Sequence, residues 1–348
     1  MTAETILIAG ANGYLALHII HQALGKGWNV VGSIRSDTAA ANIKELFPDA
    51  GTRLSLFHIS DLTGVESFEE AFRHHAITAV INAASPILNN PQNQKTDVVD
   101  PAINGGLAIL RAANIHGGTA LKRVVHIGSV SSTIDLALGD APGHTWSPDT
   151  WNPIGYDEAV GGDYTAGYVG SKALTERAMW DFMKVERRFD FVSVLPAIIF
   201  GPHVAAPIDI HSLSVSSKLL WELAAHNTGN PSPWHAVHMG VWVDVRDAVE
   251  AALRAVEVPG AGGHRFLVGQ KTHWQFIRDA ARYSDELRGH VDPGTPGAGE
   301  AASTTTYDVD GSKAETVLGL TYTALSTSVK DSLEQLLAID KKDIAKDG

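Results

Sequence analysis

Thr5-Ile6-Leu7-Ile8-Ala9-Gly10-Ala11-Asn12-Gly13-Tyr14-Leu15-Ala16 reads as a strand, a glycine turn and the opening of a helix, with Leu17, Ile19, Ile20 and Leu24 continuing at helical spacing. In that order the three pieces form a dinucleotide-binding fingerprint. Gly10 permits the tight turn, Gly13 lets backbone approach a pyrophosphate, and Ala16 is small enough for close packing of helix on strand. The helix N-terminus then faces the phosphates, which makes Gly10, Asn12, Gly13, Tyr14 and Leu15 candidate cofactor contacts.

Further strand-like runs near 28–34, 54–58, 78–83, 122–127 and 190–195 alternate with helical patterns near 38–47, 64–75, 98–116 and 161–188. This alternation predicts an α/β fold, a Rossmann-type doubly wound parallel sheet. Gly- and Pro-rich loops interrupt it at 139–155 and 201–207, and mostly helical patterns follow at 211–227, 244–257, 272–286, 311–318 and 326–337. The expected division is a dinucleotide-binding domain over 1–200 and a smaller, mostly helical substrate lobe over 201–340 with some segments returning to the core. Residues 341–348 read as a frayed polar tail.

The 348-residue chain carries a formal charge of −12, which argues against a nucleic-acid partner or an anionic membrane surface. It has no cysteine, so disulfides, thiolate metal sites and cysteine nucleophiles are absent by inventory. No stretch has the length of a membrane span, and a first strand beginning by residue 5 leaves no room for a signal peptide, so a cytoplasmic protein is expected. Sixteen histidines invite a metal, but none sits in His-Glu-x-x-His. His74 and His75 end a helix, and His235 and His238 lie in a segment that reads as extended, so no metal site is expected.

Tyr168-Val169-Gly170-Ser171-Lys172 puts a phenol and an ammonium on one face of the long helical pattern. A lysine held beside a tyrosine stabilises the phenolate and is expected to lower the tyrosine's pKa toward values useful for proton exchange with a bound carbonyl. At the end of the second strand, Ser33 and Arg35 stand where NAD-preferring folds place an acid, and no acid appears before Asp37. Arginine suits bidentate phosphate contact, so NADPH is the expected cofactor, an exposed loop arginine being the alternative.

With these elements placed, the chain resembles an extended short-chain dehydrogenase/reductase, most closely the dihydroflavonol 4-reductase, cinnamoyl-CoA reductase and fungal aldehyde/ketone (methylglyoxal-type) reductase group. The markers run from about Thr5 to about Val268: the glycine turn, Asp61-Leu62, Asn82-Ala83-Ala84-Ser85-Pro86, Pro101-Ala102-Ile103-Asn104-Gly105, Ser129, Tyr168 with Lys172, Leu195-Pro196 with Gly201-Pro202, and Val243-Asp244-Val245-Arg246-Asp247. The resemblance implies Tyr168 as general acid, Lys172 on the nicotinamide ribose, and Ser129 donating to the carbonyl, with Ser131 and Ser132 as rivals. Asn104 resembles a residue that holds a proton-relay water; a polar residue in a helix is the alternative. Asp61 and Leu62 would sit at the adenine, unless Asp61 is simply a helix cap. Ala83, Ser85, Pro196, Ile198 and Ile199 complete the implied cofactor contacts. The implied substrate pocket is lined by Ile87 and Leu88, Tyr164, Ala197, His203 and Val204. Most are apolar, which suggests a small carbonyl compound with an apolar or aromatic substituent, although Tyr164 could equally be packing and His203 a loop residue facing water. Gly128 departs from relatives, which more often carry a hydroxyl residue there. A carbonyl reductase is the leading expectation. An NAD-retaining nucleotide-sugar epimerase or dehydratase and a non-catalytic dinucleotide sensor are the alternatives, and a homodimer through the long helices is open.

Overall fold

The computed structural model describes residues 4–85, 91–186, 188–205, 213–225, 240–285, 287–289 and 291–347. In chain order the strands are β1 (Thr5–Ala9), β2 (Asn29–Ile34), β3 (Leu54–His58), β4 (Ala79–Asn82), β5 (Arg123–Ile127), β6 (Thr145–Trp146), β7 (Asp190–Pro196), β8 (Ile198–Phe200), β9 (Val241–Asp244), β10 (Arg265–Val268), β11 (Gln270–Lys271) and β12 (Asp308–Val309). The helices are α1 (Tyr14–Gly25), α2 (Asp37–Leu46), α3 (Glu69–His74), α4 (Asp100–His116), α5 (Tyr156–Gly161), α6 (Tyr164–Val185), α7 (Val215–Ala225), α8 (Val245–Glu257), α9 (Trp274–Arg282), α10 (Gly299–Ser303), α11 (Ser312–Leu318) and α12 (Leu325–Asp347).

Seven strands form one parallel sheet in the order β10-β7-β5-β4-β1-β2-β3. Along β1, Ile6 and Ile8 enter the core beneath α1, α8 and α11, whereas Leu7 and Ala9 enter the core beneath α3, α4 and α6. That alternation is the two-residue period of a strand buried on both faces. The chain leaves β1 toward β2 on one side and has β4 on the other, with Ile6 opposite both Val30 and Ala79. Ligands bind at the carboxyl ends of the strands flanking such a reversal of order. A third core gathers Phe200, Trp221, Trp242, Ile277, Leu333 and Leu336 in the C-terminal half.

The Rossmann sheet is as expected, and β10, the seventh strand, is supplied by Arg265–Val268 from the C-terminal half. The helix read over 161–188 is α6, which starts later, at Tyr164, because Asp163 caps it by accepting a 2.9 Å hydrogen bond from the Ala166 amide, and a short α5 precedes it. The segment read as a frayed tail continues α12 through Asp347. Its Lys, Asp and Ala residues are compatible with extending a helix already nucleated by the packing of Leu333 and Leu336. No helix among the described residues is long and apolar enough to cross a membrane.

Candidate active site

At the phosphate end the turn requires glycine. Gly10 has φ +79°, and a Cβ there would lie 3.0 Å from the Ala84 Cα. The Gly10 amide donates to Ser33 Oγ at 2.9 Å, and the Ala11 amide to the Ser33 carbonyl at 2.9 Å, which fixes the turn to β2. Gly13 is the N-cap of α1; no side chain caps the helix and no acid lies in its first turn. The first amides of α1 therefore lack intrahelical acceptors beside an open, uncharged cradle, which fits a pyrophosphate. Asn12 and Gly13 are exposed, and Leu15 packs on the core. The Tyr14 ring turns away from this cradle: its hydroxyl donates to the Gly201 carbonyl at 2.7 Å and its ring lies 4.5 Å from His203.

At the adenosine end, Arg35, Ser60, Asp61 and Leu62 line a cavity of about 210 Å³ that reaches Ser85 and Lys172. Arg35 is exposed and makes no hydrogen bond or ion pair among the described residues. Both nearby acids are engaged elsewhere. Asp37 Oδ1 lies 2.8 Å from His58 Nε2, and Asp61 Oδ1 accepts from the Thr63 amide at 2.8 Å and the Thr63 hydroxyl at 2.7 Å. The Thr63 hydroxyl, then its amide, holds the Asp61 carboxyl below the usual range.

The chemical end lies beyond β4 and β5. Ser129 leaves β5 and caps the short turn over 130–132, its Oγ accepting from the Ser131 amide at 3.2 Å and donating to Ser131 Oγ at 3.1 Å. The same hydroxyl lies close enough to Tyr168 to pull the phenol's pKa down. Ser132 is fully buried with no partner for its hydroxyl among the described residues, and of the three serines it is Ser129 that acts on the phenol. Lys172 Nζ stands 5.5 Å from the centre of the Tyr168 ring and donates to Ser85 Oγ at 2.7 Å. Tyr164 is close enough to Tyr168 to affect its titration.

The expectation that Lys172 lowers the tyrosine's pKa is not met. Burial raises Tyr168 above 10.0; nearby Ser129 pulls it down and Tyr164 pushes it further up, but Lys172 makes no contribution. The same burial lowers Lys172 to about 8. A low-dielectric site penalises both charged forms, and the ammonium is directed to Ser85 rather than to the phenolic oxygen.

Other expected residues fall elsewhere. Asn104 is exposed on α4. Pro101, Ala102, Gly105 and Gly106 form the face of α4 toward the cavity, and at about 100° per residue Asn104 is roughly 130° from the middle of that face. Ala83 packs on the core, while Ala84 lines the cavity in its place. Pro196 and Ala197 are buried at the end of β7, Ile198 and Ile199 are half-buried in β8, and Val204 is half-buried beyond them. His203 does not face water. Its amide donates to Gln335 Oε1 at 2.7 Å, its Nε2 lies 2.9 Å from Ser217 Oγ, and burial lowers it to about 4. Ile87, Leu88, His235 and His238 lie outside the described residues. Gly128 has a steric reason: a Cβ there would stand 2.6 Å from Leu195 Cδ2.

Two supports of the site were not read from the sequence. Glu176, one turn past Lys172 and fully buried, accepts from Arg265 Nε at 2.8 Å and Nη2 at 3.0 Å. Asn152 donates to the Ser131 carbonyl at 2.9 Å while its own carbonyl accepts from Arg177 Nη2, joining the Ser129 turn to α6. The available signal for the first was an acid continuing the Tyr168, Lys172 face at i+4.

A parallel sheet with a glycine turn at its reversal point, and a serine, tyrosine and lysine gathered beyond the next strands, define the extended short-chain dehydrogenase/reductase class. The chain belongs to the NAD dependent epimerase/dehydratase family, whose family model matches residues 6–269. It is 27% identical over 345 residues to the NADPH-dependent methylglyoxal reductase of Saccharomyces cerevisiae, covering 97% of this chain and 99% of that one. A ketoreductase of Aspergillus niger is 28% identical over 342 residues, covering 96% and 98%. The crystal structure of the yeast methylglyoxal/isovaleraldehyde reductase complexed with NADPH matches with a TM-score of 0.87 at 26% identity, covering 97% and 99%.

Proposed function

We propose that the chain is an NADPH-dependent carbonyl reductase that converts an aldehyde or ketone to the alcohol, reversibly. The observation that carries this reading is the convergence of Ser129, Tyr168 and Lys172, whose ammonium lies 5.5 Å from the centre of the phenol ring, at the end of the sheet that holds the glycine turn. When bound, the nicotinamide supplies the hydride. Ser129 donates to the substrate oxygen and fixes its position. Tyr168, kept protonated by burial, gives its proton to that oxygen as negative charge develops there, and Lys172, its ammonium directed to Ser85, is the residue that would hold the nicotinamide ribose. Arg35 meets the 2′-phosphate, with Asp37 and Asp61 engaged elsewhere. The reductases matched above, one of them with NADPH bound, support the cofactor and the chemistry over the epimerase alternative.

On this reading Tyr164, Ala197 and Val204 line an apolar pocket for the substituent of a small carbonyl compound. No nucleic acid or membrane is involved. Cytosolic residence belongs to the same reading, as does a homodimer through α4 and α6, whose ends expose Ile115 and Val185.

The test is NADPH consumption against α-ketoaldehydes, β-ketoesters, aryl ketones and a dihydroflavonol, with NADH in parallel. Tyr168→Phe should lower kcat roughly 10²–10⁴-fold and leave the NADPH dissociation constant within about twofold. Silence across the panel, with NAD carried through purification, would move the assignment to the epimerases and dehydratases.

A further inference from the structure

We infer that His58 sets the cofactor preference of this chain by holding the Asp37 carboxylate away from the 2′-phosphate, an inference that rests on the reading of Arg35 above. β2 and β3 run side by side to their carboxyl ends, with Ile34 opposite His58. Arg35 and His58 therefore leave the sheet from adjacent positions. Two residues after Arg35, Asp37 opens α2 behind the Ser36 cap, whose Oγ accepts from the Ala39 amide at 3.2 Å. The Asp37 side chain is fully exposed, and its one partner among the described residues is His58 Nε2 at 2.8 Å.

Charge and reach give this pair its meaning. A carboxylate at the end of the second strand accepts the ribose hydroxyls of NADH and repels the extra phosphate of NADPH. Asp37 lies within a turn of that position, on an exposed helix start where, among the described residues, His58 alone restrains it. Asp61, the acid lining the cavity, is restrained separately by Thr63. Discrimination then has two parts: Arg35 attracts the phosphate, and His58 keeps the Asp37 carboxylate from cancelling that attraction.

The experiment measures NADPH and NADH dissociation constants by fluorescence titration for the unmodified chain, His58→Leu, His58→Gln, Asp37→Asn and the Asp37→Asn/His58→Leu double variant. Both positions are exposed, so all variants should fold. His58→Leu should reduce the preference for NADPH over NADH about five- to tenfold, the repulsion of about two phosphate charges by one carboxylate at roughly 6 Å in water. His58→Gln, which keeps an N–H donor, should stay near the starting ratio. In the Asp37→Asn background, adding His58→Leu should change the ratio less than about twofold. A loss of NADPH affinity that persists in that background would make His58 a direct phosphate ligand and overturn the inference, as would an unchanged ratio in His58→Leu. Equal binding of NADPH and NADH by the unmodified chain would instead overturn the Arg35 reading and this inference with it.

Discussion

Glu176→Ala should cost about 3–5 kcal/mol of folding stability, the usual penalty for removing one partner of a buried ion pair. The figure follows from what Arg265 would be left with. Glu176 is fully buried, and Arg265 is 7% exposed. The guanidinium also donates to the carbonyls of Pro148 at 2.7 Å and Thr150 at 2.6 Å and lies 3.6 Å from the centre of the Trp151 ring. Those neighbours satisfy its Nη1 group and stack on its face, but Nε and Nη2 would lose the acceptor they share in Glu176, and none of the neighbours carries a compensating charge. The Trp180 indole, which donates to Glu176 at 3.2 Å, would keep only Ser193 at 3.1 Å. In urea unfolding, with a slope of about 3 kcal/mol per molar for a chain of this size, the midpoint should fall by about 1–2 M. The Glu176→Leu/Arg265→Met double variant should recover most of that loss, because replacing both charges removes the uncompensated one. A midpoint shift under about 0.3 M for the single variant, or a double variant no more stable than the single, would refute the argument.

Arg35→Glu should weaken NADPH binding by roughly two orders of magnitude and NADH binding far less, since it replaces a bidentate phosphate partner with a like charge; equal losses measured by titration would mean Arg35 does not meet the phosphate. Lys172 gives two pH dependences of opposite sign. Its folded pKa of about 8 lies below the ordinary 10.5, so between those values the unfolded chain binds more protons and the cofactor-free protein should gain stability as pH rises, while NADPH affinity, which uses the ammonium, should fall above about pH 8. Both trends should vanish in Lys172→Met when melting and titration are repeated across that range. Gly10→Ala should cost about 1–2 kcal/mol through its left-handed φ and also weaken NADPH binding, because relief of the 3.0 Å approach to Ala84 must displace the turn; an unchanged melting temperature would contradict this.

The turn at Gly10, the strand ends carrying Arg35 and Ser129, and the i+4 pairing of Tyr168 with Lys172 were legible because each is set by local spacing. The side of α4 on which Asn104 lies was not legible in that way. A sequence motif gives position along a helix, but which part of the circumference meets a cavity depends on how α4 is rotated against its neighbours, such as α6, against which it packs closely at Gly106, where a Cβ would meet Thr175 at 2.7 Å. The titration of Tyr168 was misjudged because proximity to a lysine was visible and burial was not. Arg265 and Asn152 escaped notice because their partners stand 89 and 21 residues away.

By itself the sequence determined the parallel α/β fold, the glycine turn after the first strand and the candidates for the reactive side chains, since hydrophobic period, glycine placement and residue chemistry are properties of short segments. The tertiary structure alone decided how deeply Tyr168 is buried, where the Lys172 ammonium points, and that Asp37 and Asp61 are engaged while Arg35 has no partner among the described residues. These depend on the distance and dielectric between groups that the chain brings together only when folded, and pairing and desolvation energies follow from those two quantities.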